Sequence, residues 1–186
     1  TESELQDGIP VLDHSLPPQE ADALLKDAVF HLSKNLDSPG AALTALGWNY
    51  SCVYSDEIFV SNSGMGMLLL WGIGGEGKST ITKWLQLMYG LREDMASGSV
   101  NQLQKSTVSF FRKGEYYSSL PMRLDEFRDN EETRPLIGAI RSWYDRDGRS
   151  IAANNGGVKN QQIRATLIVS GEDLPADPAT RSRFVT

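Results

Sequence analysis

Met67-Leu68-Leu69-Leu70-Trp71-Gly72-Ile73-Gly74-Gly75-Glu76-Gly77-Lys78-Ser79 is the stretch whose reading decides the fold. Its first five residues form a continuous apolar run of strand length, which suits a central parallel strand buried on both faces. Gly72 to Ser79 fit G-x-x-x-x-G-K-[ST] in full, and Ile81, Trp84, Leu85 and Met88 then share one face of a helix expected from about Lys78 to Met88. Gly90 stands where a helix C-cap glycine belongs. Glycines let the backbone wrap closely around phosphate and turn successive N–H groups inward. The helix N-terminus adds partial positive charge. The expected cradle is Gly72, Gly74, Gly75, Glu76, Gly77, Lys78, Ser79 and Thr80, with Lys78 reaching the β- and γ-phosphates and Ser79 ligating Mg²⁺. The chain has no N-K-x-D guanine motif, so ATP is the expected nucleotide.

Outward from this stretch, the chain continues as α/β. Thr107–Phe111 reads equally well as strand or helix. Leu120–Leu124 reads as an irregular strand ending at Asp125-Glu126. There Asp125 would hold Mg²⁺ through water, and Glu126 would orient or deprotonate the attacking water. An Asp-Glu pair favours hydrolysis, because a kinase takes its nucleophile from the substrate. Glu132–Tyr144 reads as a helix with Leu136, Ile137, Ile140, Trp143 and Tyr144 on one face and Pro135 in its first turn. Asp145–Arg164 is a polar, basic insert carrying Asn154-Asn155-Gly156-Gly157, and Asn-Gly is a strong hairpin-turn signal. Thr166–Val169 reads as another buried strand, tipped by Ser170-Gly171-Glu172-Asp173. The order of elements predicts a mainly parallel sheet with its sites beyond the C-terminal strand ends.

Upstream, residues 1–16 read as an arm or linker, 17–60 as a small helical appendage, and 61–186 as the core. Within the appendage, Ala21, Leu24, Leu25, Ala28, Val29 and Leu32 lie on one face of a helix opened by Pro17-Pro18. A second short helix is expected over about Ala41–Leu46, and residues 51–66 read as irregular. The chain begins without Met and stops at Phe184-Val185-Thr186, which look like the start of a strand. This predicts a piece of a longer protein.

The net charge of −6 excludes a polycation that coats nucleic acid over its whole surface. Its distribution is uneven: residues 1–100 hold 5 basic and 13 acidic side chains, residues 101–186 hold 13 and 11. A polyanionic partner would therefore meet the second half. One cysteine, Cys52, excludes an intrachain disulfide, and two histidines outside ligand spacing argue against a zinc site. The longest apolar run falls far short of the ~20 residues that span a bilayer. A cytoplasmic protein without membrane contact is expected.

The order of glycine turn, Asp-Glu strand, polar-tipped strand and Arg181-Ser182-Arg183-Phe184 resembles an AAA+ ATPase core, a three-layer P-loop NTPase. That resemblance implies a sensor at the Ser170/Glu172 tip, where many members carry Asn. It also implies an arginine, Arg183 first and Arg181 second, that enters the neighbouring subunit's site. A planar guanidinium there would neutralise charge on the transferring phosphoryl group. Leu120–Arg128 and Ile168–Asp177 resemble the helicase domains of primase-helicases from phages, plasmids and integrated elements, which are laid out like superfamily 3 helicases. This implies a homo-oligomer, with a hexamer favoured, and a pre-sensor hairpin near 149–160 gripping single-stranded DNA. Lys159 and then Arg149 are its expected phosphate contacts. Two other classes fit the same residues: a P-loop switch ATPase acting on protein partners, and a small-molecule kinase.

Overall fold

A computed structural model of the chain describes residues 15–35, 39–91, 97–99, 107–147, 149–152 and 158–186. The helices are α1 (Pro18–Asn35), α2 (Pro39–Ser51), α3 (Ser55–Asn62), α4 (Lys78–Leu87), α5 (Thr107–Tyr116), α6 (Arg134–Tyr144) and the single turn α7 (Pro178–Arg181). The strands are β1 (Met67–Trp71), β2 (Ser97–Ser99), β3 (Pro121–Phe127), β4 (Arg149–Ala152), β5 (Val158–Gln161), β6 (Thr166–Gly171) and β7 (Phe184–Val185). Five strands form one sheet in the order β2-β3-β6-β1-β7, and every pairing in it is parallel. β4 and β5 pair antiparallel as a separate hairpin.

Side chains alternate across this sheet, and both faces are covered. Met67, Leu69, Met122, Leu124, Leu167 and Val169 pack on one side against Phe110 and Phe111 of α5 and Leu136, Ile140 and Trp143 of α6. Leu68 and Ile168 pack on the other against Ala42, Ala45, Leu46 and Trp48 of α2 and Ile81 and Leu85 of α4. A strand apolar at every position needs a helix layer on each face, and β6 is buried along its whole length. Burying each such leucine or isoleucine contributes about 1.5–3 kcal/mol. Directional bonds fix the layers. Trp143 Nε1 donates to Ala165 O at 2.7 Å, Gln86 Nε2 to Pro121 O at 2.9 Å, and Asn49 Nδ2 to Leu85 O at 3.1 Å.

Several expectations are corrected. Residues 51–66 are not irregular throughout: a 3₁₀ turn (Cys52–Tyr54) and α3 occupy most of the segment. Its pattern hid the helix because Val53, Tyr54 and Val60 are exposed while Cys52 and Ser55 are buried. The short helix expected over 41–46 runs on through Trp48 and Tyr50 to Ser51, with the Trp48 indole donating to Gly66 O at 2.5 Å. Thr107–Phe111 opens a helix, because Phe110 and Phe111 both find Trp143. Ser97–Ser99, inside a polar stretch without an expected element, adds an edge strand to β3. The apolar face expected along α1 is only partly used: Val29 and Leu32 pack, whereas Leu24 and Leu25 are exposed. Residues 1–14 of the arm expected over 1–16, and the hairpin turn (153–157), lie outside the described residues. Among those described, no helix is long and apolar enough to cross a membrane.

Candidate functional site

The glycine turn leaves β1 at the C-terminal end of the sheet. Gly75 and Gly77 take φ of +86° and +79°, a region costly to any residue with a Cβ. Gly77 directly precedes α4, so the turn delivers Lys78 and Ser79 at the helix N-terminus. Lys78 Nζ donates to the carbonyls of Gly72 (2.7 Å) and Ile73 (2.6 Å), which folds the ammonium over its own turn.

Beside it stand the tips of β6 and β3. Ser170 Oγ donates to Asp125 Oδ1 at 2.6 Å, and Arg123 Nε lies 2.8 Å from Asp125 Oδ2. Arg123 and Asp125 are two apart on one strand, so they share a face. The pairing of β3 with β6 then shifts register between Leu124 and Phe127. Within that irregularity Glu126 has φ +68°, left-handed backbone for a non-glycine residue. Bulges of this kind re-aim side chains next to functional sites. Here the bulge leaves Asp125 half-buried and Glu126 exposed, while Phe127 returns to the core. The register shift needs Gly171, because a Cβ there would collide with the Phe127 carbonyl. That carbonyl also accepts from Glu172 N at 3.1 Å.

The turn and the two strand tips line one cleft of about 700 Å³, with Lys78, Ser79, Glu126, Arg128, Ser170 and Glu172 on its walls. Gly74, Gly75, Gly77 and Thr80 also line it. Arg128 Nη2 reaches Glu172 Oε2 at 3.0 Å. The loops behind these two residues are tied together: Asp129 N donates to Asp173 Oδ2 at 3.1 Å, and Ala176 N donates to the Asp129 carboxylate. A second, more apolar hollow of about 370 Å³ shares Gly77 and Thr80 with the cleft. Glu76, Ala28 and His31 of α1, and Ile81 and Trp84 of α4 also line it.

In fold, the chain is similar to the C-terminal region of NrS-1. The apo structure of that region, residues 305–718, superposes with a TM-score of 0.52 at 16% identity, over 93% of this chain and 38% of that one. The A-form apo structure of the same region gives a TM-score of 0.48 at 15% identity, covering 93% and 36%. This chain thus spans well under half the length of the structures it resembles. No protein-family model and no curated protein matches it.

The remaining residues singled out from sequence lie elsewhere. Arg183 sits at the start of β7, where its carbonyl accepts from Met67 N, at the opposite end of the sheet from the glycine turn. Its guanidinium donates to Ala179 O at 2.6 Å, lies 3.4 Å from Asp145 Oδ2, and stacks on the Tyr144 ring at 5.2 Å. Arg181 is exposed and donates through Nε to Pro175 O at 2.8 Å. Arg149 and Lys159 occupy hairpin strands β4 and β5, in register with Gln161 and Ile151. Sequence reasoning did not select Arg123, Arg128 or Gly171. The signals were present as an R-x-D pair along one strand, a basic residue two positions past the acidic pair, and a glycine at a buried strand end.

Just beyond β6, Asp177 caps α7. Its carboxyl is held down to about 2 by the Thr180 hydroxyl and next by the Arg141 guanidinium. At the base of α2, burial pushes the Cys52 thiol up to about 12.

Proposed function

We propose that this chain is the nucleotide-hydrolysing core of an oligomeric, ATP-driven motor, and specifically a DNA helicase domain of a mobile-element replication protein. The observation that carries the reading is the meeting of three sequence-distant parts at one cleft. They are the glycine turn with Lys78 and Ser79, the Asp125–Ser170 hydrogen bond, and Glu126 turned out by the bulge. A triphosphate seated on the turn would place its terminal phosphate among Lys78, Ser79 and Glu126. Glu126 would orient the attacking water and accept its proton, while Lys78 would leave the two loop carbonyls for phosphate oxygens. The apolar hollow beside Thr80 offers a place for the base.

The donor set fits Mg²⁺. Among the described residues no three His, Cys, Asp or Glu side chains cluster. Mg²⁺ commonly keeps several waters and takes one or two protein oxygens plus substrate phosphates. Ser79 would be the direct ligand, and Asp125, already engaged by Ser170 and Arg123, would act through water. Bound there, the ion would neutralise charge on the phosphates.

The helicase part rests on the motif order and on two placements. The hairpin β4–β5 immediately precedes the sensor-position strand β6, and Arg183 lies far from its own glycine turn, where only a neighbouring subunit's site could receive it. The test is ATP hydrolysis measured with and without single-stranded DNA. Lys78→Ala should abolish turnover. Glu126→Gln should retain nucleotide binding and lose turnover by about a hundredfold or more. DNA should stimulate the wild type, and Lys159→Ala should remove the stimulation. Normal hydrolysis by Glu126→Gln would sink the catalytic assignment. An unstimulated wild type would favour a switch ATPase working on protein partners.

A further inference from the structure

We propose that Arg128 is a terminal-phosphate ligand supplied by the same subunit, and that Glu172 holds its place until a triphosphate arrives. The proposal rests on the nucleotide reading of the cleft and assigns a residue that the phosphate-loop motif does not contain.

Arg128 lines the cleft together with Lys78, Ser79 and Glu126. Its one ion pair among the described residues is with Glu172, at 3.0 Å. The other oxygen of that carboxylate lies against the glycine turn, since a methyl group on Gly74 would come within 3.2 Å of Glu172 Oε1. A carboxylate therefore spans from the glycine turn to a guanidinium, on the wall where anionic oxygens of a bound triphosphate would lie.

The pair is built to exchange. The Arg128 and Glu172 side chains are 59% and 42% exposed, and ion pairs of such exposure are weak. Their backbones, in contrast, are fixed. Thr133 Oγ1 donates to the Arg128 carbonyl, Glu172 N donates to Phe127 O, and the Asp129–Asp173 and Asp129–Ala176 contacts close the loops. A fixed stem with an exchangeable head suits a residue that must find one position reproducibly. Phosphate offers the guanidinium a bidentate, more highly charged partner than Glu172 does, so the exchange runs towards phosphate. A diphosphate lacks the group that Arg128 would hold, so the residue should distinguish ATP from ADP.

The experiment is calorimetric titration of the wild type, Arg128→Ala, Arg128→Lys and Glu172→Gln with Mg-ADP and with the Mg-bound β,γ-imido analogue of ATP, at fixed salt. Arg128→Ala should bind the imido analogue about ten- to a hundredfold more weakly while binding ADP as the wild type does. Arg128→Lys should recover part of the loss. Glu172→Gln should bind the analogue about two- to fivefold more tightly. Thermal unfolding of each variant separates a folding defect, and Arg128→Gln replaces the alanine variant should that one melt early. Wild-type-like binding of both nucleotides by Arg128→Ala would overturn the proposal and leave the nucleotide site intact. An equal loss of both nucleotides would also overturn it, by making Arg128 a prop of the cleft. Failure of the wild type to bind either nucleotide would overturn the reading of the cleft, and this proposal with it.

Discussion

Glu126 has left-handed backbone inside a strand, with φ of +68°. For a residue with a Cβ this conformation costs about 1–2 kcal/mol, and it persists because its neighbours over-determine it. Phe127 is fully buried, and Gly171 lets the two backbones close up beside the bulge. Strain of this kind gathers where a side chain is needed in a place that regular structure would not put it. Glu126→Gly removes both the strain and the carboxylate. Glycine also loses about 0.5–1 kcal/mol of additional chain entropy on folding, so the variant should be as stable as the wild type or up to about 1.5 kcal/mol more stable, while losing turnover. Urea unfolding beside an ATPase assay reads both quantities, with Glu126→Ala as the control that keeps the strain. A less stable Glu126→Gly would show that the carboxylate is part of the packing and is held there for the fold.

At the scale of elements, α7 has only four residues, yet it positions the approach to β7. Asp177 accepts from Thr180 N at 2.6 Å and pairs with Arg141 of α6, which ties this turn to the helix layer. Because the folded carboxyl titrates near 2, below its ordinary value of 3.8, its contribution to stability is complete above about pH 4 and is lost as pH falls towards 2. Asp177→Asn keeps a good N-cap and removes the charge. The gap in melting temperature between it and the wild type should therefore be widest near neutral pH and close between about pH 4 and 2. A gap independent of pH would mean that the charge contributes nothing. The elements legible in sequence were those with an unbroken apolar period. These are β1 and β6 as continuous runs, α4 through Ile81, Trp84 and Leu85, and α6 through Leu136, Ile140 and Trp143. Thr107–Phe111 was ambiguous because two adjacent phenylalanines suit either period. α3 was hidden because a thin surface helix buries almost none of its apolar residues. In the site, Lys78, Ser79, Asp125 and Glu126 could be read from local order along the chain. The bulge, the need for glycine at 171 and the Arg128–Glu172 pair could not, since all three arise from how β3 registers against β6, a strand some forty residues away.

Over the whole molecule, the sheet separates two sets of groups. The cleft lined by the glycine turn lies beyond the C-terminal strand ends, whereas Arg183 lies at the N-terminal end of the sheet beside Met67. The basic hairpin likewise enters β6 from its N-terminal side, and Asp56 of α3 holds both of its roots through Arg146 (2.5 Å) and Arg164 (3.9 Å). β1 alone spans about 13 Å at 3.3 Å per residue, so Arg183 cannot serve its own glycine turn, and any service at a γ-phosphate has to be in trans. A head-to-tail ring is the arrangement that offers one subunit's N-terminal sheet edge to the next subunit's cleft. The same overall charge of −6 is compatible with that assembly, since a ring needs only a few pore cations per subunit. Within the subunit, Arg183 is part-buried and engaged by Asp145, Tyr144 and Ala179 O, so service in trans would have to exchange these contacts for phosphate. Subunit mixing tests this directly. If Arg183 serves a neighbour's cleft as proposed, Arg183→Ala keeps its cleft and loses the arginine it would offer, whereas Lys78→Ala keeps the arginine and loses its cleft. Each alone should be inactive. Mixed in equal amounts and allowed to exchange, they should regain activity, because about one interface in four pairs a live cleft with a live finger by random assembly. No recovery, with exchange confirmed by labelled subunits, would place the role of Arg183 inside its own subunit, in the contact with Asp145 and Tyr144.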